Sequence, residues 1–153
     1  MGLVDEVINL WKGENRVDKL MVDKNDYNKI INHCQQKKPK EACGILGGEK
    51  DENKAVVKEV YLMKNVENSS EHYLMEPDQQ FEVFRDLREN ELELVSIFHS
   101  HPHTEAVPST EDLEMAHYPE AIYTIISLEN EEVDLRAYLI GDEDYQEISV
   151  VIN

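Results

Sequence analysis

The stretch from Glu91 to Asp112, ELELVSIFHSHPHTEAVPSTED, constrains the fold of this chain more than any other. Its first ten residues predict the most buried strand of the protein. His99 and His101 stand at the end of that strand. Side chains at i and i+2 share one face, so both imidazoles can converge. Pro102 then turns the chain, and Ser109 starts a short helix that runs to about Ala116. Asp112 lies eleven positions beyond His101, inside the first turn of this helix. A loop of that length can fold back and present the carboxylate to the same point.

Two neutral imidazoles and one carboxylate form a suitable three-ligand set for zinc. The fourth, open position then holds water, as a hydrolytic metal requires. Plainer readings compete with this one. His-x-His arises by chance in many proteins, and Ser-Thr-Glu-Asp at 109–112 is a good capping box, with Ser109 as N-cap and Asp112 three residues on. His103 could compete as a ligand, but Pro102 breaks the strand period before it. Spacing alone leaves the metal reading and its rivals level.

The remaining elements suggest an α/β or α+β sheet with helices packed against it. KLMV at 19–22 is a short strand. Asp23 caps a helix carrying Tyr27, Ile30, Ile31 and Cys34 on one face, which Pro39 stops. EACGILGG at 41–48 reads as a strand ending in glycines, and the alternating, β-branched KAVVKEVYLMKNV at 54–66 as another. HYLM at 72–75 is expected to be a short edge strand. Pro77 opens a helix with Phe81, Phe84 and Leu87 facing inward. AIYTIISL, VDLRAYLI and YQEISVVI supply the last three strands. Residues 3–11 place Leu3, Val7, Leu10 and Trp11 on one helical face, so residues 1–17 read as an N-terminal helical extension and 18–153 as one domain.

Charge narrows the possible partners. Lys and Arg total 15 against 33 Asp and Glu, a net charge of -18. Such a surface repels nucleic acid and anionic membrane, so neither is expected as a partner. No apolar run approaches the ~18 residues of a membrane span. The N-terminus carries acids where a signal peptide needs positive charge, and Glu6 stands where a myristoylation signal needs Ser or Thr. Two cysteines without a C-x-x-C form no disulfide framework or zinc ribbon, which favours a reducing, cytoplasmic compartment. Nothing in the sequence specifies an oligomeric state.

The full pattern, H-S-H-P-x(6)-S-x-x-D from His99 to Asp112, resembles the signature of the JAMM (MPN-plus) metalloproteases, which also have a glutamate upstream on a segment like the one starting at Glu41. Every motif position matches. The flanks, ELVSIF before it and AVPS and YPEAIYTIISL within and after it, resemble the compact prokaryotic members. The resemblance covers roughly residues 20 to 153. It implies a mixed, mostly antiparallel curved sheet flanked by helices, similar to cytidine deaminase. It also implies zinc (Zn2+) bound by His99, His101 and Asp112, with Glu41 as general acid/base and Ser109 as oxyanion donor. The implied substrate is a ubiquitin-like or sulfur-carrier protein, cleaved after its Gly-Gly tail at a peptide or isopeptide bond. An extended tail could add as a strand along Asn65 to Met75.

Three rival classes are distinguishable. A catalytically silent MPN scaffold would keep zinc without peptidase activity. A small-molecule zinc deaminase would carry H-x-E and P-C-x-x-C, and neither occurs here. A histidine pH sensor leaves Glu41 and Asp112 without a role. Read singly, Ser100 and Cys43 are structural residues, and His33, His72 and His117 have no spacing that links them to the site.

Overall fold

The computed structural model describes residues 17–142 and 144–153. Apart from Val17, the expected N-terminal helical extension lies outside them. Among the described residues, seven strands carry the fold: β1 (Lys19–Val22), β2 (Cys43–Asp51), β3 (Lys54–Met63), β4 (Glu93–His101), β5 (Ile122–Ser127), β6 (Asp134–Ile140) and β7 (Tyr145–Ile152). Three helices accompany them: α1 (Lys24–Lys37), α2 (Pro77–Glu89) and α3 (Thr110–Glu114). None of the described helices is long and apolar enough to cross a membrane.

The expected curved, mostly antiparallel sheet proves to be a closed ring in the order β1-β3-β2-β4-β5-β6-β7. Three of its seven pairings are parallel: β1 with β3, β1 with β7, and β4 with β5. The short β1 makes the closure. Its Leu20 lies opposite Ala55 on one side and Val150 on the other. Both partners are distant in sequence, and no turn signal marks either pairing, so periodicity does not show the ring.

Apolar residues on the two faces of the strands pack into two cores. One takes Leu20, Leu46, Phe98 and Ile126 together with Ile30, Ile31 and Cys34 of α1. The other takes Cys43, Ile45, Ile97, Ile125 and Tyr138 together with Val83 and Leu87 of α2. α1 forms as expected: the Asp23 carboxylate accepts from the Asp26 amide at 2.8 Å, and the helix ends just before Pro39. α2 differs. Its buried stripe is Val83 and Leu87, with Phe84 partly buried. Phe81, expected inside, is 66% exposed. It sits two residues from Val83, about 200° round the helix and so on the opposite side.

The expected edge strand at 72–75 does not form. A single bridge joins Asn65 to Met75, and the segment between them is a loop. The Asn65 side chain takes the place of ladder bonds: its Oδ1 accepts from the amides of Glu67 at 3.0 Å and Leu74 at 2.9 Å.

Gly44 fixes how closely β2 lies to β4. It pairs with Phe98, and a Cβ at Gly44 would stand 2.2 Å from the Phe98 ring and 2.5 Å from the Tyr61 carbonyl. A ring can rotate aside; a strand carbonyl cannot. We predict that Gly44→Ala destabilises the protein by about 1–3 kcal/mol or more, measured as a lower denaturation midpoint at unchanged slope. An unchanged midpoint would mean that β2 does not lie this close to the Tyr61 carbonyl of β3.

Candidate metal centre

From Ile97 onward, β4 alternates cleanly: Phe98 and Ser100 face the α1 side, while Ile97, His99 and His101 face the other. Ser100 is structural, as its parity suggests. Its hydroxyl accepts from the Ala42 amide at 2.8 Å, and its own amide donates to the Ala42 carbonyl at 3.0 Å. These bonds hold the residues just before β2 against the end of β4. Cys43 lies opposite His99, so Glu41, two residues earlier, is on the histidine face. Cys43 itself is a core residue, and burial, aided by Glu41, pushes its thiol up to about 12.

The loop after His101 is tied down before it returns. Leu128 donates its amide to the His101 carbonyl at 3.0 Å, Ser127 its hydroxyl to the Thr104 carbonyl at 2.6 Å, and Tyr138 its hydroxyl to the Ala106 carbonyl. Ser109 then caps α3 with a complete capping box. Its hydroxyl oxygen accepts from the Asp112 amide at 3.0 Å, and Asp112 Oδ2 accepts from the Ser109 amide at 2.9 Å. This cap uses a lone pair of the Ser109 oxygen, so the hydroxyl hydrogen remains a donor.

Asp112 thereby faces both histidines. His99 Nε2 lies 3.1 Å from Asp112 Oδ1, His101 Nε2 lies 3.0 Å from Oδ2, and the two Nε2 atoms are 3.1 Å apart. Both imidazoles are buried and the carboxylate is nearly so. A tetrahedral zinc with bonds of ~2.0–2.1 Å has ligand–ligand edges of ~3.3 Å, so one ion fits this triangle with little adjustment. His101 Nδ1–H donates to the Glu105 carbonyl at 2.8 Å, which leaves the Nε2 lone pair turned inward. His103, the possible competitor, is exposed and outside the group.

The electrostatics follow from burial and these contacts. Burial pushes the Asp112 carboxyl up, but the His101 and His99 rings packed against it, together with the Ser109 amide, outweigh burial and hold the group well below the usual carboxylate range. Glu41 behaves in the opposite way. It is 4% exposed, and its Oε1 is buried without a hydrogen-bond partner. Burial raises it to about 8; His101 works against the rise, and Asp112 and Glu111 add to it.

Three further residues shape the centre without any advance signal in the sequence. Tyr73 stacks on His99, ring centroids 4.7 Å apart and planes 20° from parallel. Asn65 donates from Nδ2 to the carbonyls of Glu41 and His72, both at 3.0 Å. His72 pairs with Glu111 at 2.5 Å, joining this loop to α3 beside Asp112. Tyr73, Leu74, Ile97, Met115 and Tyr118 line a small, mostly apolar groove of about 80 Å³ that contains none of His99, His101, Asp112 or Glu41. A wider groove of about 570 Å³, between β3 and α2, shares no residue with the centre.

Known proteins resemble this chain over most of its length. A CysO-cysteine peptidase of Mycobacterium tuberculosis is 33% identical over 117 residues, 75% of this chain and 78% of its own. A desampylase of Pyrococcus furiosus is 32% identical over 114 residues, 73% of this chain and 76% of its own. The solution structure of protein DSY2949 from Desulfitobacterium hafniense superposes with a TM-score of 0.81 at 34% identity, over 88% of this chain and 92% of that one. The family model for prokaryotic homologues of the JAB domain matches residues 23–141, which include every residue of the centre. On this match, and on the relatives that share it, the chain belongs to the prokaryotic JAB-domain family, the compact prokaryotic branch that its histidine motif resembles.

Proposed function

We propose that this chain is a zinc-dependent peptidase or isopeptidase that cleaves after the Gly-Gly tail of a ubiquitin-like or sulfur-carrier protein. The observation that carries the reading is the triangle of His99 Nε2, His101 Nε2 and Asp112, closed to 3.0–3.1 Å beside a buried carboxylate with an unpartnered oxygen. His99, His101 and Asp112 hold the zinc. When bound, the metal supplies Lewis acidity, lowering the pKa of a water toward ~7 and polarising the substrate carbonyl.

The remaining work falls to the protein's own groups. Glu41 accepts the proton of the attacking water and delivers it to the leaving nitrogen. Its burial suits the second step, because a desolvated carboxylic acid holds a proton near neutral pH. With zinc held by His99, His101 and Asp112, Glu41 would favour its charged form and so could act as the base. Ser109 donates its free hydroxyl hydrogen to the oxygen that becomes negative, while its oxygen keeps the cap. Two buried free cysteines fit a reducing, cytoplasmic setting.

The names of the relatives, CysO-cysteine peptidase and desampylase, support a small protein modifier or sulfur carrier as substrate. Because Asn65 to Met75 offers no preformed strand edge, the tail is better placed in the apolar groove between Tyr73 and Met115. A tail of glycines has no side chains to accommodate in a groove of this size.

Three outcomes test this reading. Glu41→Gln should retain one zinc per chain and lose turnover by ~100-fold to 10,000-fold, whereas His101→Ala should lose the zinc; metal analysis alongside activity separates the two. The second concerns pH. Glu41 is raised from 4.5 to about 8 in the fold, so across that window the folded protein holds a proton that the unfolded chain has released. Stability of the chelated protein therefore falls as pH rises through the window. Chelated Glu41→Gln lacks this loss and should gain on the parent between pH ~5 and ~8, by on the order of a few kcal/mol. A constant difference in denaturation midpoint would remove the buried-acid assignment. For the substrate, matched fusions ending Gly-Gly or Ala-Ala before the scissile bond should be cleaved and spared respectively; equal cleavage would indicate a general peptidase.

A further inference from the structure

We propose that Tyr73 is a positioning residue of the metal centre. Its ring, held against the His99 imidazole by the Asn65 clamp, sets the plane in which His99 presents Nε2. The inference rests on the reading that His99, His101 and Asp112 hold a metal.

The three ligands are oriented in different ways. His101 is fixed by its Nδ1–H bond to the Glu105 carbonyl, and Asp112 by the Ser109 amide. Such outer bonds are the usual means of orienting a metal ligand. His99 has none: its Nδ1 is buried and has no hydrogen-bond partner. The second torsion of a histidine is intrinsically broad, so something else must hold the ring. Tyr73 covers one face of it at 4.7 Å and 20°. A ring pinned between its own strand and a parallel aromatic face loses the rotation that would swing Nε2 out of the triangle. Metal–ligand distances in real sites lie within about 0.2 Å of their ideal values, so a restraint on the direction of Nε2 bears on binding.

Tyr73 lies in a loop, and a loop residue positions nothing unless it is itself held. Asn65 does this with one amide. Its Nδ2 donates to the His72 carbonyl and its Oδ1 accepts from the Leu74 amide, so both backbone neighbours of Tyr73 are gripped by the same side chain. The second hydrogen of that Nδ2 goes to the Glu41 carbonyl, and Glu41 returns its own amide to the Ser69 carbonyl at 2.7 Å. The His99 ring and the Glu41 backbone are therefore referenced to one amide group. Any shift of the loop moves the support of a ligand and the anchor of the acid/base residue together.

The test is zinc affinity of the full chain, read by competition with a chromophoric chelator, together with the visible spectrum after cobalt substitution. Tyr73→Leu should bind zinc 10-fold to 100-fold more weakly, the range typical of lost outer-shell support, and its cobalt bands should shift. Tyr73→Phe keeps the stacking ring and should match the parent in both. Asn65→Ala alters neither a ligand nor the ring itself but releases the loop that holds the ring, so it should weaken zinc in the same direction and decides the matter if Tyr73→Leu does not fold. Parental affinity and parental cobalt bands in Tyr73→Leu, or in Asn65→Ala where that variant decides, would overturn the proposal and leave the metal centre standing. Absence of zinc binding in the parent would overturn the centre and the proposal with it.

Discussion

Two imidazoles and a carboxylate within about 3 Å of one another need positive charge among them, a proton or a cation. That constraint organises the region between His99 and Asp112. A buried strand must end there, so that both rings are shielded and share a face. Pro102 must break the strand immediately, and the returning loop must be anchored at His101, Thr104 and Ala106 so that α3 starts in the right place. Each of these features spends polar groups on holding other polar groups, an arrangement worth keeping only where the convergence itself is useful.

The closed ring gives the convergence a rigid base. β4 lies between β2 and β5, bonded on both sides, so its end cannot fray. β2 brings Glu41 along the same face because Ser100, pointing away from the histidines, bonds the neighbouring Ala42. Alternation along β4 thus divides the work: one parity carries the two histidines of the candidate centre and the other secures the segment that carries Glu41. Buried hydroxyls complete the interior, with Ser96 and Thr124 2.8 Å apart across β4 and β5 and Ser96 bonded also to the Ile122 carbonyl at 2.7 Å.

Much of this was legible in the sequence because it is local. Alternating apolar residues mark β3 and β4, Asp23 and Ser109 mark helix starts, and the motif from His99 to Asp112, more than its spacing alone, implies that His99, His101 and Asp112 meet. What escaped is non-local or depends on a single side chain. Closure by β1 rests on two parallel pairings of four residues or fewer, without a hairpin to announce them. HYLM has the composition of a strand, but the Asn65 amide takes its backbone bonds. Tyr73 reads as an ordinary aromatic in an apolar tetrapeptide, and only the folded loop sets its ring on His99. Phe81 fits a helical stripe with Phe84 and Leu87, yet the packed stripe is centred on Val83, and Phe81 falls outside it.

The capping box divides one hydroxyl between two duties. The Ser109 oxygen belongs to the architecture of α3 and its hydrogen to the proposed oxyanion contact, so the two duties respond differently to substitution during evolution. Aspartate is as good an N-cap as serine but has no hydrogen to donate when ionised. A lineage drifting from Ser to Asp here would keep its helix cap while giving up the proposed donor. Alanine would surrender both at once and meet selection for stability as well. Retirement from catalysis in proteins built this way therefore has an easy path through a single acidic replacement, and a family tree would record it as a change of charge before any change of shape.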